Sequence, residues 1–285
     1  MTTRRVHRRF SQVPIEKVRT YWDSRPCNIR HSAKAIGSKE YFDEVEARKY
    51  FVEPHIPGFA QFERWRGLRV LEIGCGIGTD TVNFARAGAL VTATDISEES
   101  LRIAGRRAEV YGLTDRISYH LANAEELAEV IPPEPYDLVY SFGVIHHTPN
   151  PERVLDQITG HYVHPGTVVK IMVYHRYSWK VLKILLADGR GRFWGLPELI
   201  ALHSEAQTGS PVTYTFSRGQ LRRLLEERRL VVKQIDVEHI FPYRFSDYVE
   251  HRYVQEWHWR ILPKAAFRMM EKTFGWHLCA TAEAL

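Results

Sequence analysis

Apolar residues fall along this chain in short runs, each closed by a glycine or polar turn and followed by a stretch with helical spacing. Val70–Ile73 is such a run and reads as a buried strand. From Thr79 the pattern turns helical, with Val82, Phe84 and Ala85 on the inner side and Gly88 as the stop. Ala89–Thr94 is the next strand and ends at Asp95; Ser97 then caps a helix to about Tyr111, closed by Gly112, with Glu98 and Glu99 favourable in its first turn. Further strands are expected at Ile117–Leu121, through Tyr140 after the stiff loop Pro132–Pro135, and at Thr167–Val173, with a helix over Pro151–Tyr162 between the last two. This alternation predicts an α/β chain with a doubly wound, mostly parallel sheet.

The flanks are different. Residues 1–69 read as an N-terminal helical cap with helices over Val13–Trp22 and Tyr41–Val52. Residues 70–174 hold the strand–helix alternation, and 175–216 form a lid insertion with helical patches at Lys180–Ala187 and Pro197–Glu205. Residues 217–285 return to the core: Ser217 caps a helix through Arg229 with Leu221, Leu224 and Leu225 inward, followed by strands at Val231–Ile240 and His277–Ala282. Between those strands, 241–276 is rich in aromatic residues, a pattern that packs a cap, covers a homodimer face or lines a pocket for a flat molecule.

The stretch Glu72-Ile73-Gly74-Cys75-Gly76-Ile77-Gly78-Thr79 joins the first strand to the first helix. Strand, glycine turn and helix in that order bring backbone N–H groups against a ligand, and a Cβ would obstruct both the turn and the approach. A dinucleotide fingerprint would need glycine at Thr79, so the spacing argues against a nicotinamide dehydrogenase. Asp95 follows Gly74 by about 20 residues, the spacing of an acid that accepts bonds from both ribose hydroxyls.

Glu72 followed by G-x-G-x-G resembles motif I of the class I S-adenosylmethionine-dependent methyltransferases, and the run Tyr136–Pro149 resembles motif IV of their small-molecule, "type 11"-like group. The resemblance covers about Val70 to Val173. It implies a Rossmann-like seven-stranded sheet with helices on both faces and the last strand antiparallel at the sheet's end. The implied cofactor is S-adenosyl-L-methionine, with S-adenosyl-L-homocysteine as product. By the same resemblance Glu72, Gly74, Cys75, Gly76, Gly78 and Thr79 surround its amino-acid half, and Asp95 and Ile96 its ribose. Asn123, Ala124 and Glu125 are assigned to the adenine edge, and Ser141, Phe142 and Gly143 to the end of the fourth strand. Nucleic-acid amino-methylating relatives carry (D/N)-P-P-(Y/F/W) where this chain has Ser141-Phe142-Gly143-Val144, which disfavours a flipped base as substrate.

Methyl transfer is an in-line displacement, so the protein chiefly has to align acceptor, methyl and sulfur. A hydroxyl, amine or thiol acceptor can need a base, and His146 and His147 stand at the carboxyl end of the fourth strand where one would act. Trp22, Asn28, Arg30 and His31 in the cap, with Tyr174 and His175 after the fifth strand, are the candidates for lining the acceptor site. The expected activity is methylation of an O or N atom of a small-molecule or natural-product metabolite. The alternatives are a peptide, protein or RNA acceptor, or an enzyme that holds the cofactor without methylating.

Composition narrows this only a little. Cys27, Cys75 and Cys279 are widely spaced and no His, Asp and Cys residues share metal-ligand spacing, so neither disulfides nor a metal are expected. The longest apolar cluster is interrupted by Lys183 and is too short for a bilayer; with no apolar stretch behind the basic start, a cytoplasmic protein is expected. A net charge of +5, spread among acids, permits an acidic substrate without calling for nucleic acid.

Overall fold

A computed structural model describes residues 10–189, 191, 194–204 and 209–285. The basic start of the chain, Glu205 of the second lid patch and part of the Gly/Arg turn before it lie outside the described residues. The strands are β1 (Arg69–Ile73), β2 (Leu90–Asp95), β3 (Ile117–Leu121), β4 (Leu138–Phe142), β5 (Val168–Tyr174), β6 (Leu230–Glu238) and β7 (His277–Ala284). They form one sheet in the order β3-β2-β1-β4-β5-β7-β6, parallel from β3 to β5. β7 runs antiparallel to both β5 and β6. It is antiparallel as the resemblance implies, but it does not take the edge: it is inserted between β5 and β6, and β6 forms the sheet's end. The all-buried pattern of β5 and the largely buried pattern of β7 fit that central position.

The main helices are α1 (Ile15–Ser24), α2 (Lys39–Val52), α3 (Thr79–Arg86), α4 (Glu98–Val110), α5 (Pro151–His161), α6 (Trp179–Ala187), α7 (Leu196–Leu202), α8 (Arg218–Glu226) and α9 (Lys264–Phe274). Their ends follow local chemistry. The hydroxyls of Ser38, Ser97, Ser178 and Ser217 accept from backbone amides in the first turns of α2, α4, α6 and α8, and Gln220 completes a capping box at α8. Apolar side chains fill both faces of the sheet. Leu71, Ile73, Val139, Val169 and Ile171 pack beneath α5 and α8, and Val70, Val91, Ala93, Leu138 and Tyr140 pack towards α3 and α4. The cap is tied to this frame: Asp23 of α1 accepts from Ser97 Oγ at 3.0 Å and from Glu99 N at 2.9 Å, closing the N-terminus of α4 from outside. The first crossover and the carboxyl ends of β4 and β5 thus meet under α1. Among the described residues no helix is long and apolar enough to cross a membrane.

Candidate active site

After β1 the backbone is left-handed at three glycines, with φ of +78° at Gly74, +53° at Gly76 and +75° at Gly78. A Cβ at Gly74 would lie 2.1 Å from Val144 Cγ2, whereas one at Gly76 would meet nothing within 4 Å. Packing therefore demands the first glycine. Conformation alone demands the second, on the open side of the turn where a ligand can reach the backbone. The turn is anchored to β2: Gly74 N and Cys75 N donate to Thr94 O at 2.7 and 2.9 Å. Gly76 N donates to Asp95 Oδ2 at 2.8 Å, and Ser97 N donates to Oδ1 at 2.9 Å. Each carboxylate oxygen keeps a further lone pair, enough for a vicinal diol. Burial pushes the Asp95 pKa up, and the amides of Ser97 and Gly76 oppose that shift.

The underside of the turn is polar and closed. Thr79 Oγ1 accepts from the fully buried guanidinium of Arg107, which also reaches Phe42 O at 2.9 Å and Ile77 O at 3.4 Å. Asp80 accepts from Lys49 Nζ at 2.8 Å, Tyr50 OH at 2.9 Å and Tyr140 OH at 3.0 Å, binding α2 to α3 and β4. Glu72 accepts from Thr81 Oγ1 at 2.6 Å; burial, and next the charge of Asp80, raise its pKa to about 8. Sequence spacing did not single out Arg107, Asp80 or Asp23. An acid in a first helical turn looks like ordinary dipole matching, and nothing local marks an arginine that folds inward.

The other assigned residues divide between site and scaffold. Asn123 caps its own turn by accepting from Glu125 N at 3.1 Å, and Ala122 N donates to Asp95 O at 2.9 Å, so this turn abuts the acid. Both carboxylate oxygens of Glu125 accept from Asn150, at 2.8 and 2.9 Å, which makes it a strut between this turn and α5. Ser141 is fully buried and donates to Ile73 O at 3.2 Å, joining β4 to β1. Phe142 and Gly143 follow at the strand's open end, with Ile96 half-buried beyond Asp95.

Beyond Gly143, His146 and His147 lie buried in a short 3-10 turn. Their rings are 4.2 Å apart; His146 lies 3.8 Å from the Tyr174 ring, and Tyr174 stacks on Trp276 at 4.1 Å. Trp22 of α1 meets His147 edge-on at 5.3 Å. His147 Nδ1 lies 2.7 Å from Val212 O, which fixes the proton on Nδ1. His146 differs: among the described residues neither ring nitrogen has a hydrogen-bond partner, and burial followed by the neighbouring His147 holds its pKa well below the usual histidine range. A neutral imidazole with an orphan N–H in an aromatic pocket is the kind of polar group a ligand satisfies.

The fold therefore brings Trp22, His146, His147 and Tyr174 together and adds Trp276, which sequence reading left among the cap aromatics. It places other candidates elsewhere. Arg30 is exposed, and Asn28 forms a left-handed turn (φ +64°) whose carbonyl accepts from His31 N. His31 contacts Tyr248 OH at 3.1 Å and lines a separate cavity of about 500 Å³ with Arg48, Phe51 and Tyr253. His175 is fixed by Gly275 O at 3.1 Å from Nδ1, a role that positions Tyr174 beside Trp276.

Residues 70–166 match the family model described as "Methyltransferase domain". This segment belongs to the methyltransferase-domain family. The match begins one residue into β1 and carries through the glycine turn, Asp95, β4 and the histidine pair. Over 110 residues the chain is 36% identical to a ubiquinone biosynthesis O-methyltransferase from Rhizobium leguminosarum bv. trifolii, covering 39% of this chain and 42% of that protein. The chain thus spans under half the length of that curated relative. Among solved structures, magnesium protoporphyrin IX methyltransferase from Synechocystis PCC 6803 with bound S-adenosylhomocysteine aligns with a TM-score of 0.60 at 15% identity, over 95% of this chain and 100% of that one. Geranyl diphosphate C-methyltransferase from Streptomyces coelicolor aligns with a TM-score of 0.59 at 13% identity, over 97% and 99%. At these identities the structures speak for the fold, which is that of the class I S-adenosylmethionine-dependent methyltransferases. Both alignments extend across the cap and the aromatic insertion, which flank the methyltransferase domain.

Proposed function

We propose that this chain is an enzyme that transfers a methyl group from S-adenosyl-L-methionine to an oxygen or nitrogen atom of a small-molecule metabolite. The observation that carries the reading is the glycine turn joined through Gly76 to Asp95, opening beside an aromatic pocket that contains two histidines. The turn fits this cofactor. It is left-handed at all three glycines and unobstructed at Gly76, and Asp95 offers lone pairs to a free vicinal diol. The curated relative named as an O-methyltransferase supports oxygen as the acceptor atom. The pocket of Trp22, Tyr174 and Trp276 suits a flat or apolar acceptor better than an extended polymer.

When bound, the cofactor supplies a methyl group already activated on a sulfonium. The residues of this chain have the remaining tasks. Asp95 and the glycine turn hold the adenosine and amino-acid ends, and α1 with Trp22 shields the acceptor from water. His147, its Nδ1 held by Val212 O, stands as the candidate base for the acceptor's proton, while His146 hydrogen-bonds the acceptor as a neutral group.

The test is incubation with methyl-labelled cofactor and a panel of hydroxy-, amino- and carboxy-metabolites, following label in product together with release of S-adenosylhomocysteine. Label in a small aromatic hydroxyl or amine supports the reading. Label found only in protein or RNA, or an acceptor transformed while label stays on the cofactor, contradicts it.

A further inference from the structure

A second group of histidines gathers beside this pocket, from three parts of the chain that no motif connects. α2 ends at Val52 with Glu53 as its C-cap, and His55 follows just before the short helix Ile56–Ala60. His239 is the residue after β6, and His277 is the first of β7. The backbone is built to bring the last two together. Trp276 N donates to His239 O at 2.7 Å, and a Cβ at Gly275 would lie 2.2 Å from Glu238 O, so only glycine permits the approach. His239 is left-handed, with φ of +69°, a conformation that a side-chain-bearing residue seldom adopts. Strain of that kind persists where surrounding structure imposes it and gathers at functional positions.

One donor atom from each of Glu53, His239 and His277 falls within 4.8 Å of the others. His277 Nε2 lies 3.6 Å from Glu53 Oε1, too far for a hydrogen bond. It is close to the separation of roughly 3.4 Å between two ligands sharing a tetrahedral ion with bonds of about 2.1 Å. The other nitrogen of His277, Nδ1, meets His55 Nε2 at 3.1 Å, the contact that orients a ligating imidazole. The His239 and His277 rings stack at 4.7 Å. Of the cations around the cluster, Lys49 is engaged by Asp80 at 2.8 Å and Lys272 by Glu238, while Lys180 Nζ lies 4.7 Å from the centre of the Trp276 ring.

We propose that Glu53, His239 and His277 bind a divalent first-row transition metal ion, with His55 as the positioning residue for His277. Two imidazoles and one carboxylate form an open donor set, leaving coordination positions for water or an incoming ligand. The site adjoins the acceptor pocket, since Phe142 lies 5.6 Å from His277 and 6.0 Å from His55, and Tyr174 lies 6.1 Å from His277. If the methyl-transfer reading holds, an oxygen of the acceptor can occupy an open position. Metal binding itself does not depend on that reading.

The experiment uses the full chain, untagged and stripped with chelator, then titrated with Zn2+ by calorimetry and with Co2+ by visible absorption. One ion per chain is expected, with a tetrahedral or five-coordinate cobalt spectrum. His239→Ala and Glu53→Gln should each weaken Zn2+ binding at least 100-fold with the circular dichroism spectrum unchanged, and His55→Ala about tenfold. His120→Ala, on β3, should bind as the wild type does. Absence of saturable binding to the wild type overturns the proposal, as does one-to-one binding that survives in both His239→Ala and Glu53→Gln.

Discussion

The amide of Gly76 donates to Oδ2 of Asp95 at 2.8 Å, so the glycine turn and the acid of the second strand act as one unit. On the proposed reading, a change at either residue disturbs both the ribose end and the amino-acid end of a bound adenosyl ligand. Asp95→Ala should therefore weaken S-adenosylhomocysteine affinity by more than tenfold in calorimetric titration, beyond a modest loss of stability. Unchanged affinity removes Asp95 from the site.

The first and second glycines of the turn should respond in opposite ways. Gly74→Ala drives a Cβ into Val144 and should cost about 3 kcal/mol or more in denaturant unfolding. Gly76→Ala has open space and should cost only about 1 kcal/mol from its left-handed φ, yet it should lose cofactor affinity at least tenfold. Equal destabilisation by the two changes would mean that the open face of the turn is not what it is taken to be here.

Glu72 predicts a pH dependence. Burial raises its pKa to about 8 in the native chain, so between the ordinary glutamate range and pH 8 the native state holds a proton that the unfolded chain has released. Its contribution to stability is therefore full in acid and is lost as pH rises through about 8. Glu72→Gln mimics the protonated form. Urea unfolding at pH 6 and pH 8 should show the variant gaining on the wild type by about 1–2 kcal/mol over that interval. A gap that does not widen with pH shows that the native carboxyl is already ionised.

If His147 takes the acceptor's proton as proposed, His147→Ala should lower the methylation rate by about 100-fold with cofactor affinity unchanged. His146→Ala should act mainly on the acceptor's KM, since its imidazole stays neutral and serves by hydrogen bonding. Stopped assays at saturating cofactor separate the two effects.

Much of this is legible in the sequence alone. The glycine turn, Asp95 and the Ser97 cap are local signals, and strand and helix positions from β1 to β5 follow from short-range periodicity. What lay hidden depends on long-range placement. The insertion of β7 between β5 and β6 depends on pairing across the sheet, which no local pattern encodes. Arg107 is fully buried because Thr79, Ile77 and Phe42 supply oxygen partners, not because its neighbours in sequence are apolar. Glu125 looked like a cofactor ligand from its place after β3, but both its oxygens are engaged by Asn150. The cluster of Glu53, His239 and His277 has no sequence spacing at all, and only the antiparallel return of β7 assembles it.

Calorimetric titration of the wild-type chain with S-adenosylhomocysteine tests the central claim most directly. The account predicts one saturable site per chain that is lost in Asp95→Ala and Gly76→Ala while both variants remain folded. Absence of binding by the folded wild type, or saturable binding of a nicotinamide dinucleotide at the same turn, would contradict it.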